Sequence, residues 1–391
     1  MSSIYSFGIN DFFWTIIFVF ITFTFIVKFL KFNKFNQLLF IVTLHCISTV
    51  LYFQLSLHDL FDANQYFLVA TEADDLSNFG FISTDFIYII CYFLINYLNF
   101  GYFSCYLFFS FFGLFAYSKI FLLYSEKNLR FSFFALPVLL FLMLLPSVHF
   151  YTSMIGKDSL MFFSITNIIL YVYDKKMISF KLFLFSFILA FFVRPHIAIA
   201  LLLSFVFLSN FLKNVKFEFL KKLVMYTLLF SFLPLIYLLI KNVFGIANTE
   251  LLFDFFERRV EIASNVGGTY SVDMKEMNFI ERFFTTLLRP FLFDIKNSFG
   301  FVMAIENLFW FILFIRMFIL FIKNFMFIRV SKYYYLFRFS VYYSIIVVVS
   351  LSYGVGDNLI LFMRQKIQVL VPIVFIFMIL ESINIKRKIP K

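Results

Sequence analysis

Charged residues are scarce in this chain, since only 14% of its 391 residues are Asp, Glu, Lys or Arg. A soluble domain averages about 25% charged residues, and a soluble fold of this length would have a large wet exterior to cover. Hydrophobic residues make up 63% of the chain, and the mean hydropathy is +0.94. This balance excludes an ordinary soluble fold and indicates that lipid is the solvent for much of the surface.

Cysteine is also scarce, and no short motif of a known metal site is present. Cys46, Cys91 and Cys105 fall inside apolar runs, without a CxxC or Cys/His spacing, so the pattern favours neither disulfides nor zinc. No serine has the nucleophile-elbow context of acyl-transfer enzymes. The net charge of +11 comes from basic clusters between apolar runs, which is typical of loops at a membrane face and not of nucleic-acid binding. We therefore expect no metal, no cofactor and no nucleic-acid partner.

Apolar runs of transmembrane length recur along the chain, and a helix needs about 20 mostly apolar residues to cross a bilayer. We predict eleven spans, at 12–30, 37–55, 102–118, 132–148, 159–173, 180–194, 197–212, 223–240, 299–322, 339–353 and 367–382. The apolar stretches 86–98 and 283–296 are too brief to cross and predict short interfacial or re-entrant helices on the outer side. The predicted fold class is an all-α polytopic membrane protein with about eleven transmembrane helices, forming one domain over 1–391.

The basic clusters predict the orientation of these spans. They lie at 28–34, 119–130, 175–181, 213–222, 323–338 and 386–391. With eleven spans every cluster falls on one face, and cytoplasmic loops carry the excess of Lys and Arg. We therefore expect the N-terminus outside and the C-terminus inside. Most acidic residues fall on the outer face, densest in its two long loops, 56–101 and 241–298.

A lysine and an aspartate occur where a predicted span begins on the outer side. Gly156 permits a tight turn, after which Lys157 and Asp158 open the next helix. Because helix N-termini favour anions, Lys157 is a candidate phosphate ligand and Asp158 a candidate catalytic carboxylate. The same residues also fit an ordinary capped helix start with a snorkelling lysine.

A second polar group, Arg194-Pro195-His196, lies between two predicted spans with almost no loop. Proline breaks the helical hydrogen-bond ladder and frees carbonyls that need partners. A guanidinium and an imidazole held there suit phosphate recognition or proton transfer. The alternative is a tight helical hairpin whose arginine reaches the lipid headgroups.

A third polar group contains Arg282 and Arg289, the latter just before a proline in the predicted re-entrant segment. Glu306 lies about two turns inside the following span, where an unpaired carboxylate would be costly, so we expect it to pair with Arg289 or Arg282. Arg364 and Lys366, just before the predicted last span, complete a basic outer rim.

Other candidates have simpler explanations. Gly267 and Gly268 fit a phosphate or sugar loop, and more simply a plain turn. His45 and His58 fit a packed histidine and a loop histidine. The remaining mixture of outer basic groups and carboxylates suits an amphiphile with a phosphate head and a hydroxyl to be deprotonated. A lipid-linked saccharide has this chemistry, with Asp62 or Asp158 as the general base.

Several segments together resemble a family of bacterial membrane proteins. These are HFYTSMIGKDSLMFF, FVRPHIAIALLL, the stretch 267–308 and RQKIQVLVP, and Asp62-Ala63 with Tyr66 resembles an acidic first-loop motif. In this order they are similar to Wzy-type repeat-unit polymerases and related C-superfamily membrane glycosyltransferases. The chain lacks the large, separately folded periplasmic domain of many of these proteins.

The resemblance implies transfer of a growing glycan from undecaprenyl pyrophosphate onto another lipid-linked repeat, at the periplasmic face of a bacterial inner membrane. O-antigen, capsule or exopolysaccharide would be the product, and a chain-length regulator is a further partner that the family allows. Three alternatives stay open: a different polyprenyl-linked glycosyltransferase, a flippase for lipid-linked oligosaccharides, and an ion-coupled transporter. A flippase usually shows two homologous halves, which this sequence does not show.

Overall fold

A computed structural model describes residues 5, 7–28, 34–58, 61–126, 132–133, 136–207, 272, 277–354 and 359–388. The predicted span at 223–240 and the candidates Gly267 and Gly268 lie outside these residues. The fold divides into two compact units, one formed by 1–199 with 370–391 and the other by 200–369. The prediction of a single domain over 1–391 stays a prediction.

The first unit consists of helices and one minimal antiparallel strand pair. Its elements are α1 (Ile9–Val27), α2 (Phe35–His58), α3 (Asp62–Glu72), α4 (Thr84–Asn96), α5 (Tyr102–Glu126), β1 (Ser132–Phe133), β2 (Leu136–Pro137), α6 (Val138–Met143), α7 (Pro146–Thr152), α8 (Lys157–Tyr173), α9 (Phe180–Val193) and the start of α10 (Pro195–Phe207). Helix α5 packs against α1, α2 and α8, so it lies at the centre of this unit.

The second unit, in its described part, is also helical. It contains α11 (Phe279–Leu288), α12 (Ser298–Ile328), α13 (Tyr334–Gly354) and the first part of α14 (Leu359–Lys388). A short 3₁₀ helix, Leu292–Asp294, connects α11 to α12. Helix α11 packs against α12 and α13, which positions the turn that follows it.

Six helices in the described residues are long and apolar enough to cross a membrane. They are Ile9–Val27, Phe35–His58, Tyr102–Ser125, Gly300–Ile328, Tyr334–Ser352 and Leu361–Ile385, and α7 with α8 adds a seventh if that bent pair is one span. The chain is therefore a polytopic helical membrane protein, as its composition predicts. The count of eleven spans stays a prediction.

The prediction of one continuous span over 132–148 is wrong. Helix α6 ends at Met143, Leu145 is extended, and α7 starts anew at Pro146. Proline lacks the backbone N–H and its ring collides with the carbonyl four residues earlier, while the preceding residue is driven away from helical geometry. Pro146 therefore ends one helix and begins the next.

Three predicted segments form helices whose described residues are fewer than a bilayer crossing needs. Helices α4, α9 and α10 have 13, 14 and 13 residues, against about 20 for a perpendicular span. For α4 this matches the expected short helix at 86–98. The spans predicted at 180–194 and 197–212 become α9 and α10, which meet at Arg194 because Pro195 opens α10.

The carboxylate of Asp11 joins α1 to the first turn of α5. One of its oxygens accepts hydrogen bonds from the backbone N–H of Ser104 at 2.7 Å and from the Ser104 hydroxyl at 2.6 Å. The other accepts from the N–H of Gly8 at 3.2 Å. A Cβ at Gly101 would lie 2.2 Å from Asp11, so only glycine permits this approach. In a membrane the first N–H groups of a helix need such partners, since water is absent.

Asp11→Ala should therefore destabilise the protein, by about 1–3 kcal/mol, because it leaves buried donors at the start of α5 without an acceptor. Thermal unfolding of the protein purified in detergent measures the effect. The matched control is Asp74→Ala, since Asp74 is exposed after α3. Equal unfolding midpoints for the two variants would show that the Asp11 contacts contribute nothing.

Candidate functional site

A sharp break between α7 and α8 positions the first group of candidate residues. The two helices are bent by 114° across Ser153–Gly156, and Gly156 has φ 151, a conformation that residues with a Cβ rarely adopt. The turn is fully packed, because Met154 and Ile155 are 0% exposed. Irregular backbone in a membrane protein needs such protein surroundings. The turn predicted at Gly156 is confirmed.

Asp158 and Arg194 form a buried ion pair. Arg194 Nη2 donates to Asp158 Oδ1 at 2.6 Å, and the two side chains are 8% and 1% exposed. Asp158 lies in the first turn of α8, whereas Arg194 lies between α9 and α10. The pair thus joins two of the polar groups that the sequence singles out. A charge-assisted contact of this kind is what makes two buried charges tolerable away from water.

Lys157 binds two hydroxyl groups at the start of α4. Its Nζ donates to Ser83 Oγ at 3.0 Å and to Thr84 Oγ1 at 2.8 Å. The N–H of Ser83 in turn donates to the Phe192 carbonyl at 2.7 Å. The start of α4 is therefore held against both α8 and α9. Ser83 and Thr84 are residues that sequence reasoning missed, since a Ser-Thr-Asp run before an apolar stretch suggests only a helix start.

Asp62 and Tyr66 lie together on α3. Asp62 is exposed at the first position of the helix, and Tyr66 is 5% exposed, with its ring 5.7 Å from the Tyr88 ring on α4. Burial raises the pKa of the Tyr88 phenol, and the carboxylates of Asp85 and Asp62 raise it further. The carboxylates of Asp62 and Asp85 therefore lie near Tyr88 on α4, the helix whose first residue, Thr84, accepts a hydrogen bond from Lys157. His196, also predicted for the site, is exposed in the first turn of α10.

In the second unit, Arg289 and Asp294 pair across the turn after α11. Arg289 Nε donates to Asp294 Oδ2 at 3.0 Å, and a second contact joins Nη2 to Oδ1. Asp294 Oδ2 also accepts from the N–H of Phe291 at 2.8 Å. Arg289 thus pairs with Asp294 and not with Glu306, and the alternative pair of Glu306 with Arg282 stays a prediction. Asp294 is five residues from Arg289. Its two carboxylate oxygens bind two nitrogens of the guanidinium, so Arg289 finds its partner within the turn.

A buried lysine fastens this turn to two helices. Lys366 Nζ donates to the Arg289 carbonyl and to Asn307 Oδ1, both at 2.8 Å, and Asn307 Nδ2 donates to the Pro290 carbonyl at 2.9 Å. Lys366 and Glu306 are each 4% exposed and interact electrostatically. The buried carboxylate is thus compensated by a lysine.

The placement of Arg364 and Lys366 ahead of the last span is wrong. Helix α14 begins at Leu359, and the apolar segment long enough to cross a membrane, Leu361–Ile385, contains both residues. Arg364 is half-buried within the helix, and Lys366 is buried. Arg282 is half-buried on α11, and its Nε donates to the Met277 carbonyl at 3.1 Å.

No protein-family model, curated protein or solved structure matches this chain.

The ion pair between Asp158 and Arg194 predicts strong energetic coupling. Asp158→Asn and Arg194→Gln should each lower the free energy of unfolding by about 3–5 kcal/mol, because each leaves one buried charge without its partner. The double variant should lose less than the sum, by about 0.5–3 kcal/mol. Denaturation in mixed micelles checks this, with Lys181→Gln on the exposed face of α9 as the control. Strictly additive losses would contradict the pairing.

Lys366→Met should loosen the turn after α11, because the carbonyl of Arg289 and the amide of Asn307 lose their shared donor. We expect a loss of about 1–3 kcal/mol for each buried group left unsatisfied. Hydrogen exchange of peptides covering 289–297 should accelerate, and Lys332→Met, at an exposed position of the same unit, should leave it unchanged. Unchanged exchange in Lys366→Met would rule out this role.

Proposed function

We propose that the chain is an integral membrane glycosyltransferase that polymerises undecaprenyl-pyrophosphate-linked oligosaccharide repeats at the periplasmic face of a bacterial inner membrane. The observation that supports this most is the buried ion pair of Asp158 and Arg194 at a helix break, next to the ammonium group of Lys157. Cations held in place by neighbouring side chains suit the oxygens of a pyrophosphate leaving group. The resemblance of the surrounding sequence to repeat-unit polymerases points to the same substrate.

The proposal includes the orientation of the chain. We propose that the N-terminus lies in the periplasm and the C-terminus in the cytoplasm, because the basic clusters then share the cytoplasmic face. In this orientation Asp62, Asp158 and Arg194 belong to the periplasmic side. That side is where a polymerase meets lipid-linked repeats and where no nucleotide sugar is present as donor.

The two candidate carboxylates take different roles in this proposal. Asp158 is 1% exposed and is bound to Arg194, so an acceptor sugar cannot reach it, and its role is to position the guanidinium. Asp62 is exposed at the start of α3, beside the ring of Tyr66, and is the carboxylate that we assign as general base.

The proposed reaction transfers the donor glycan from its pyrophosphate to an acceptor hydroxyl. Asp62 takes the proton of the acceptor hydroxyl, whose oxygen forms a bond to the anomeric carbon of the donor glycan. The bond between that carbon and the pyrophosphate oxygen breaks, and undecaprenyl pyrophosphate leaves with its charge neutralised by Lys157 and Arg194. His196, in the first unit, would bind the departing phosphate. Within the second unit, Arg282, Arg289 and Arg364 are proposed as phosphate ligands in their own right.

A deletion strain complemented with variants tests this function. Asp62→Asn and Arg194→Gln should abolish long-chain surface glycan, leave single-repeat glycan, and cause lipid-linked single repeats to accumulate on the periplasmic leaflet. The readouts are gel analysis of the surface glycan and leaflet-selective labelling of the lipid-linked intermediates. Lys181→Gln should restore the wild-type glycan, with equal amounts of each protein in the membrane.

Two results would overturn the proposal. Long-chain glycan in the Asp62→Asn and Arg194→Gln strains would show that polymerisation does not need the general base and the cation that we assign. Lipid-linked repeats that accumulate only on the cytoplasmic leaflet of the deletion strain would instead identify a flippase. A flippase binds the phosphate groups of its substrate with cations but has no catalytic base.

A further inference from the structure

Two buried histidines from distant parts of the first unit face each other. His45 on α2 and His149 on α7 are 1% and 2% exposed, and their Nδ1 atoms lie 3.3 Å apart. The sequence predicts His45 as a packed histidine and assigns His149 no role, because the 104 residues between them hide the contact. Burial of His45 is confirmed, and its partner is a second imidazole.

The other nitrogen of each ring faces a backbone carbonyl. His45 Nε2 is 3.0 Å from the Ser110 carbonyl, and His149 Nε2 is 2.7 Å from the Met143 carbonyl. A carbonyl oxygen accepts and never donates, so both Nε2 atoms must carry the proton of their ring. In two neutral imidazoles both Nδ1 atoms are then bare acceptors, and they point at each other across 3.3 Å.

The three contacts need three protons, whereas two neutral imidazoles carry two. Every neutral assignment therefore leaves two acceptors face to face at one of the contacts. We propose that His45 and His149 form a buried binding site for one proton, which the two Nδ1 atoms share. The occupied site holds one positive charge spread over two rings and satisfies all three contacts.

One aromatic neighbour offsets part of the cost of burying such a charge. The ring of Tyr117 from α5 stacks on His149, with centroids 4.5 Å apart and planes 18° apart, and meets His45 edge-on at 5.4 Å. A cation on the face of an aromatic ring is stabilised by the quadrupole of that ring. Tyr117 is also the titratable side chain facing the pair from α5.

The other described neighbours of this cluster are a backbone carbonyl and a phenyl ring. Helix α6 presents the Met143 carbonyl, and α8 presents Phe162, which packs on Tyr117. Within the described residues, neither imidazole contacts an Asp, Glu, Lys or Arg side chain. The charge on the pair therefore depends on the shared proton alone and not on a neighbouring ion.

The proton site of His45 and His149 is not part of the proposed function, but it lies close in sequence to the candidate functional residues. Helix α7 carries His149 and leads through four residues into Lys157 and Asp158. With the proton bound, α7 is held on α2. Without it, the two Nδ1 lone pairs repel and one ring must turn or withdraw.

Nitrogen NMR of the full chain in lipid nanodiscs, with ¹⁵N-labelled histidine, counts these protons directly. The chain has only four histidines, and His58 and His196 are exposed, whereas His45 and His149 are buried, so solvent accessibility distinguishes the two sets of signals. For the buried pair we expect three protonated nitrogens out of four in the occupied state, with the two Nδ1 signals coupled through one proton. Spectra should span about two pH units on either side of the ordinary histidine pKa of about 6.5.

His149→Asn is the matched variant, because its amide places a permanent N–H donor near His45 Nδ1. His45 should then stay neutral across the whole range and lose its third-proton signal. Two protonated and two bare nitrogens in the wild type at every pH would overturn the proposal. So would a charged His45 in His149→Asn, or a stoichiometric transition metal found by elemental analysis of the purified protein. The wild-type spectra decide the question even if the variant fails to fold.

Discussion

Polar groups at membrane depth must find their partners within the protein, and the fold of this chain follows from how its helix breaks meet that requirement. Each break is held by a side chain from a distant part of the sequence. Asp11 accepts from the first turn of α5, Lys157 donates to the start of α4, and Lys366 donates to the carbonyl that precedes Pro290. The prolines and glycines interrupt the helices, and these buried side chains make the interruptions stable. The candidate site is thus built from the same contacts that keep the fold intact.

Local patterns explain which features were predictable. Composition shows the membrane class, and apolar runs locate α2 and the start of α5 within a few residues, because a long helix in lipid needs nothing beyond its own sequence. Gly156 and Pro195 mark their breaks for the same local reason. Pro146 carries the same signal, but an apolar run on both sides hides it, so a continuous span was expected where two short helices form. Hydropathy averages over a window and therefore cannot register one missing N–H.

The partners of the polar residues could not be predicted in the same way. Lys157 binds Thr84 across 73 positions and Lys366 binds Asn307 across 59, and nothing in either local sequence encodes such a distance. Glu306 shows why a partner cannot be identified from the sequence. Its burial implies a cation, but the choice among arginines and lysines depends on packing, and the turn geometry commits Arg289 to Asp294 instead. The local sequence around Asp158 likewise gives no sign of its partner, Arg194, which lies 36 positions away.

The break between α7 and α8 is fixed at both of its ends, which bears on how the site works. Before the turn, His149 contacts His45 and the Met143 carbonyl, and after it Lys157 and Asp158 contact α4 and Arg194. A carrier with alternating access needs broken helices that move relative to their neighbours. Catalysis at a charged leaving group instead requires cations that are already in place, because reorienting them would cost energy at the transition state. The clamped start of α8 therefore supports the proposal of a transferase over that of a flippase, since moving it would expose the two buried charges of Asp158 and Arg194.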